Sequence, residues 1–246
     1  MIKRSDIIWE HKPYLRVGQT NQYEFHLWLN RPLADWDVFD EWERVRTRSM
    51  RQHLRNGDIL FDIGAEMGWL SVIYGQMVGA SNMVLFEPTA EFWPNIEALW
   101  HKNFDAEPLD TVNALVGNKP QGKIETGKWP ECSNGDLIEK LSYTLIHENP
   151  KQIPTTTIDE YIYQTGITPT ALTIDTEGSE LLILQGAKDI LAKRNLKVWV
   201  SVHPDLALKD YGVESQYAVY EFMKEQGYEG SMVGQDHEQH YYFYRG

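Results

Sequence analysis

The chain has 246 residues, enough for one large α/β domain with an extension and short for two full domains. Its formal net charge of −13 offers no basic footprint for a nucleic-acid backbone or an anionic membrane surface, so neither partner is expected. A single cysteine, Cys132, excludes an intrachain disulfide. With no charged-then-apolar leader and no uncharged apolar run near ~18 residues, a cytoplasmic location is expected.

Residues 1–56 read as an extension with a composition of its own, holding four of the nine tryptophans (Trp9, Trp28, Trp36, Trp42). A helix is predicted over 36–55, where Arg44, Arg48, Arg51 and Arg55 recur at helical spacing and share one face. Such a stripe is ordinarily solvated; the functional alternative is a cationic wall for an anionic substrate. Asn56 and Gly57 should end this helix, and the main domain is expected over 57–246.

Strand and helix signals then alternate regularly, which predicts a mainly parallel sheet with helices on both faces. The first strand is 59–63, followed by a glycine turn at 64–68 and a helix over 69–78. A strand at 83–86 closes on Glu87, a helix covers 90–101, and a third strand covers 112–116. Residues 117–152 are rich in Gly, Pro, Lys and Asn and read as a long excursion, with a short helix near 137–146. Strands at 171–174 and 196–202, helices at 179–191 and 216–225, and a closing hairpin of 230–233 with 241–244 complete the pattern.

Two constellations carry chemistry. The first lies at the glycine turn. An acidic residue roughly 20 positions beyond a glycine-rich strand-to-helix turn is how nucleotide-binding α/β folds grip a ribose, and Glu87 stands there. The turn itself, Gly64-Ala-Glu-Met-Gly68, lacks the G-x-G-x-x-G spacing of a dinucleotide site. Asp62 before it and Glu66 within it would repel a pyrophosphate but suit a ligand bearing an ammonium and a sulfonium, which points to S-adenosylmethionine. A nicotinamide-dependent oxidoreductase or epimerase, and a non-catalytic nucleotide-binding module, are the competing readings.

The second constellation lies at strand ends. Asp175 and Glu177 follow the strand at 171–174, where ligand crevices of open α/β sheets lie; helix capping accounts for Glu180 but not for Asp175. Pro204 stops the next strand and leaves His203 at the same edge. The segment Asp236-His237-Glu238-Gln239-His240 falls in the closing hairpin loop, which opens at that edge if the penultimate strand is parallel to the others. A hydrogen-bonded polar network is the preferred reading of this rim. A divalent metal is the alternative, with Asp175, Glu177, His203 and His237 or His240 as its ligands. For proton abstraction, His203 is the first candidate base and Asp175 the second.

FDIGAEMGW, VLFEP, NALVG, TTTIDEY, LTIDTEGSELLILQGA and DHEQH together resemble the FkbM family of S-adenosylmethionine-dependent methyltransferases, over roughly residues 57–245. The resemblance implies a Rossmann-like class I methyltransferase fold, here a mainly parallel seven-stranded sheet with a terminal antiparallel hairpin. It also implies O-methylation of a hydroxyl on a sugar or another small hydroxylated metabolite. Carried over by position, Asp62, Gly64 and Gly68 would line the methionine moiety, Glu87 the ribose, and Asn113 with Ala114 the adenine, while Asp175 and Glu177 match the acidic pair. The family turn commonly has Asn where Glu66 stands, and its fifth strand often ends in Glu where this chain has His203. Residues 1–56 lie outside the resemblance, and substrate choice is expected there and in 117–152.

Overall fold

The structure, a computed structural model, describes residues 9–19, 21–30, 43–127, 129–131, 153–212, 215–235 and 238–246. The chain opens with a hairpin the sequence patterns did not disclose, β1 (Trp9–Arg16) paired antiparallel with β2 (Tyr23–Asn30). Helix α1 (Arg44–His53) follows; the start of the helix expected from residue 36 falls outside the described residues. It ends before Asn56, at Leu54, whose extended backbone breaks the spiral.

The Rossmann-like portion runs β3 (Leu60–Ile63), α2 (Trp69–Val78), β4 (Met83–Phe86), α3 (Trp93–Asn103) and β5 (Asp110–Val112). The third strand, expected over 112–116, is divided. β5 stays in the main sheet, whereas β6 (Leu115–Val116) leaves it to pair with β7 (Thr155–Thr156). The break falls at Asn113, whose side-chain amide bonds to the carbonyls of Glu87 and Pro88 instead of following the sheet. The helix expected near 137–146 lies outside the described residues.

After β7 come α4 (Ile158–Thr165), β8 (Ala171–Asp175), α5 (Glu180–Gln185), α6 (Lys188–Lys193) and β9 (Lys197–Val202). The single helix expected over 179–191 is two, because the Asp159 carboxylate accepts from the Asp189 and Ile190 N–H groups and caps a new start. The chain finishes with α7 (Pro204–Tyr211), α8 (Ser215–Glu225), β10 (Glu229–Gln235) and β11 (Gln239–Tyr244).

The main sheet has seven strands in the order β10-β11-β9-β8-β3-β4-β5, all parallel except β11. Both faces are covered, so β3 and β4 are buried at every position, and their apolar runs are interrupted by Asp62 alone. Alternate side chains serve two cores. Leu60, Met83 and Leu85 join the hairpin residues Tyr14, Phe25 and Leu27 and the helix residues Trp69 and Trp93. Phe61, Ile63, Val84 and Phe86 pack on the other face with Tyr161, Ile183 and Leu191. No helix among the described residues is long and apolar enough to cross a membrane.

Chain order reverses between β3 and β8: from β3 the chain winds outward to β4 and β5, then returns to place β8 on the other flank. Ligands of open α/β sheets bind outside the carboxyl ends of the strands at such a switch point. Both constellations singled out above lie there.

Candidate active site

The first constellation is built by hydrogen bonds to one carboxylate. Glu87, just past β4 and buried, accepts from the Glu66 N–H at 2.8 Å through Oε2 and from the Thr89 N–H at 2.8 Å through Oε1. It thereby ties the end of β4 to the glycine turn after β3. The turn needs left-handed backbone at Gly64 (φ 92°), Glu66 (φ 48°) and Gly68 (φ 84°), and at Glu66 the bond to Glu87 helps hold that conformation. Asn113 Nδ2 donates to the Glu87 carbonyl at 2.8 Å, tying the end of β5 to the end of β4, and the neighbouring Ala114 is buried.

Gly64 is held to glycine by the protein itself. A Cβ there would fall 1.8 Å from the Asp175 carbonyl oxygen, so β3 and β8 meet at this point with no room for a side chain. Asp62, on β3, is buried and accepts from Ser71 Oγ at 2.6 Å. Burial pushes its carboxyl up to about 6 against the pull of the Ser71 bond. Burial likewise pushes Glu87 up to about 7, with the Thr89 and Glu66 bonds opposing it.

The second constellation surrounds His203. Its Nδ1 lies 2.9 Å from Glu180 Oε1, and that oxygen also accepts from the Gly178 N–H at 2.9 Å. On the other side of the ring, Nε2 faces Glu238 Oε1 at 3.0 Å, Asp175 Oδ1 at 3.6 Å and Glu177 Oε2 at 3.8 Å. Burial opposes a charge on the imidazole, but the Glu180 and Glu238 carboxylates outweigh it and push its pKa up to about 11. Asp175 and Glu177 are both raised, chiefly by burial, with neighbouring carboxylates adding to the effect.

Several expectations change here. The carboxylates around the ring favour the protonated imidazole, which has no lone pair to offer and so counts against His203 as the base expected from the sequence. Glu180 is fully buried and its carboxylate turns inward to the His203 ring, a role that helix capping alone does not describe. From the closing hairpin loop it is Glu238 that reaches His203. His240 lies inside the sheet, with Nδ1 2.9 Å from Ser201 Oγ, and His237 lies outside the described residues.

The arginine stripe of α1 faces the hairpin and the helix's own end. Arg48 donates to the Arg16 carbonyl, Arg51 pairs with Glu24, and Arg55 caps the carbonyls of Gln52 and Leu54. The arginine that matters to the site is one the stripe omits. Arg46 is 1% exposed and enters the rim, with Nη1 2.8 Å from Asp175 Oδ2 and 2.5 Å from Ser201 Oγ, and Nη2 paired with Glu43. The sequence signal was the Glu43/Arg46 spacing of three, which suits an ion pair but does not distinguish a buried one from a surface one. A second missed contact comes from the hairpin: Asn30, at the end of β2, bonds Asn95, which donates to the Met67 carbonyl in the glycine turn.

A doubly wound sheet ending in an antiparallel hairpin, with acids at the turn after β3 and at the end of β4, defines a Rossmann-like class I methyltransferase fold. The chain belongs to the methyltransferase FkbM domain family, whose model matches residues 62–229. A solved structure of methyltransferase FkbM from Methylobacillus flagellatus KT superposes with a TM-score of 0.51 at 14% identity, over 85% of this chain and 53% of that one. A precorrin-6y C5,15-methyltransferase from Geobacter metallireducens GS-15 is similar with a TM-score of 0.48 at 10% identity, over 83% of this chain and 88% of that one. This chain therefore spans about half the length of the FkbM structure, and at these identities the likeness is one of fold. No curated protein matches the chain. Family membership sets aside the nicotinamide oxidoreductase reading.

Proposed function

We propose that the protein is an S-adenosylmethionine-dependent O-methyltransferase acting on a hydroxyl of a sugar or another small hydroxylated metabolite. The observation that carries this reading is the Glu87–Glu66 bond, which brings the carboxylate at the end of β4 onto the glycine turn of β3 at the switch point. Each carboxylate oxygen of Glu87 bonds one backbone N–H and retains acceptor capacity. A pair of ribose hydroxyls is the partner such a group suits. Asp62 and Glu66 give the same crevice the sign that attracts an ammonium and a sulfonium.

Asp62, Gly64, Glu66 and Gly68 would hold the amino-acid end of the donor, Glu87 its ribose, and Asn113 with Ala114 its base. Bound there, the donor supplies a methyl group activated by its sulfonium. The protein's own work is to align an acceptor oxygen and to take its proton. Glu177 is our candidate for the second task. Its side chain is 42% exposed against 21% for Asp175, Arg46 already engages Asp175, and a raised carboxylate pKa makes a better proton acceptor. His203 then serves as the hub that positions Asp175, Glu177 and Glu238.

The test is calorimetric titration with S-adenosylmethionine and with NAD, followed by labelled-methyl transfer to a panel of sugar acceptors. Donor binding and a methyl ether located by NMR are expected. Binding of NAD alone, or a product methylated on nitrogen or carbon, would overturn the reading.

A further inference from the structure

Outside the donor crevice, the described part of the molecule places one ring nitrogen among three carboxylates. His203 is 7% exposed, and its Nε2 makes no well-aligned hydrogen bond to any of them. The nearest oxygens belong to Glu238, Asp175 and Glu177, at 3.0, 3.6 and 3.8 Å. Behind the ring, Glu180 Oε1 lies 2.9 Å from Nδ1, and that oxygen is itself anchored by the Gly178 N–H. A carboxylate on one imidazole nitrogen fixes the tautomer and directs the lone pair of the other outward, the arrangement that supports histidine as a metal ligand.

The distances suit an ion. Two ligand atoms each ~2.1 Å from a cation subtend about 90° when 3.0 Å apart and about 120° when 3.6 Å apart, both within the range of ordinary coordination. One atom each from Asp175, His203 and Glu238 all lie within 4.8 Å of one another. Charge argues the same way. Asp175, Glu177, Glu180 and Glu238 all face the one His203 ring, and Arg46 pairs with Asp175 and Glu43. Carboxylates gathered in this way are costly to bury unless they take up protons or a further cation.

We propose that Asp175, His203 and Glu238 form a divalent-metal site that takes a first-row transition ion, with Glu177 at its open side. Asp175 would use Oδ1 for the ion, since Oδ2 is held by Arg46. Nitrogen with carboxylate oxygen and no thiolate selects an ion of the Mn²⁺ or Zn²⁺ kind. Binding displaces one proton, from His203 Nε2 to solvent. The role assigned to the ion rests on the methyl-transfer reading. It holds the acceptor's oxygen and eases its ionisation, the hydroxyl proton passing to the Glu177 carboxylate.

The full chain, stripped with EDTA and desalted, is titrated with MnCl₂, ZnCl₂ and MgCl₂ by calorimetry, with no methyl donor present. Saturable binding of one Mn²⁺ or Zn²⁺ per chain is expected. Asp175→Asn, Glu238→Gln and His203→Gln should each weaken it by ~10-fold or more, and Glu180→Gln by about 10–100-fold through loss of the group behind the ring. Glu221→Gln, an exposed change on α8, should leave it unaltered. Pulsed EPR of the Mn²⁺-loaded wild type should show coupling to an imidazole nitrogen, which reads ligation even if the His203 variant does not fold. Absence of saturable binding, absence of nitrogen coupling, or binding indifferent to Glu238→Gln would overturn the site. A chain that binds the methyl donor but no ion sinks this proposal alone; one that binds the ion but no donor sinks the methyl-transfer reading alone.

Discussion

Arg46 on α1 and Asp175 at the end of β8 form a buried ion pair, Nη1 to Oδ2 at 2.8 Å, within a chain whose formal net charge is −13. The same guanidinium reaches Ser201 on β9 and Glu43 at the start of its own helix. One side chain from outside the family match therefore fixes the position of an acid inside it.

Removing that guanidinium should leave Glu43 and Asp175 buried without their main cation. Arg46→Met is expected to destabilise the chain by about 3–5 kcal/mol, the scale for breaking one side of a buried pair. Urea unfolding measures it, and a loss below about 1 kcal/mol would show that the pair is not held as described.

On the proposed reading, Glu87 links stability, pH and donor binding. Its pKa in the folded chain is about 7, above that of an unfolded glutamate, so the folded state binds the extra proton between roughly pH 4.5 and 7. Asp62, at about 6, acts in the same direction. Stability of the donor-free chain from these groups should be present at low pH and lost as pH rises to 7. Donor affinity should move oppositely, strengthening as Glu87 ionises. Glu87→Gln is expected to reduce both dependences, leaving the part due to Asp62, and to weaken donor binding by about 2 kcal/mol. Thermal melts and calorimetry across pH 5–8 decide; an unchanged donor affinity in the folded variant would contradict the ribose assignment.

At Gly64 the expected injury is to the protein before the ligand. Gly64→Ala places a Cβ on the Asp175 carbonyl and should cost several kcal/mol, moving the rim as well as the turn. Gly166→Ala makes an internal comparison, with a positive φ but nothing within 4 Å, and should cost only about 1 kcal/mol. Equal melting temperatures for the two variants would show that β3 and β8 have slack where they meet.

Glu177→Gln should lower kcat by about 10²-fold while leaving donor affinity unchanged, if this carboxylate receives the acceptor's proton. Steady-state kinetics with donor titration separates the two. A variant whose kcat is intact transfers the role to Asp175.

Much of this was legible in the chain because local chemistry announces itself locally. The apolar runs at β3 and β4, the glycine turn and Glu87 are short-range signals, and the parallel sheet follows from strand and helix alternating along the sequence. The hidden parts depend on partners far away in sequence. Arg46 reads as one more arginine of a surface helix until Asp175 and Ser201 are brought to it. Glu238 was overlooked beside two histidines because residue type, not register, was the guide. The β10 ladder, parallel to β9, carries Glu238 to the rim, while register places His240 opposite Ser201, inside the sheet. The division of 179–191 into two helices was set by Asp159 on α4, which no window along that segment contains.

The contacts at His203 have a temporal consequence. Arg46 precedes the sheet, Asp175 ends its fourth parallel strand, and Glu238 enters only with the closing hairpin. A polypeptide emerging from the ribosome can assemble the glycine turn and Glu87 long before it can complete the rim. Contacts between such distant segments form late because the intervening loops must close first. On the proposed reading, partly synthesised or partly folded chains would hold the donor residues without the acceptor side, and turnover would report complete folding.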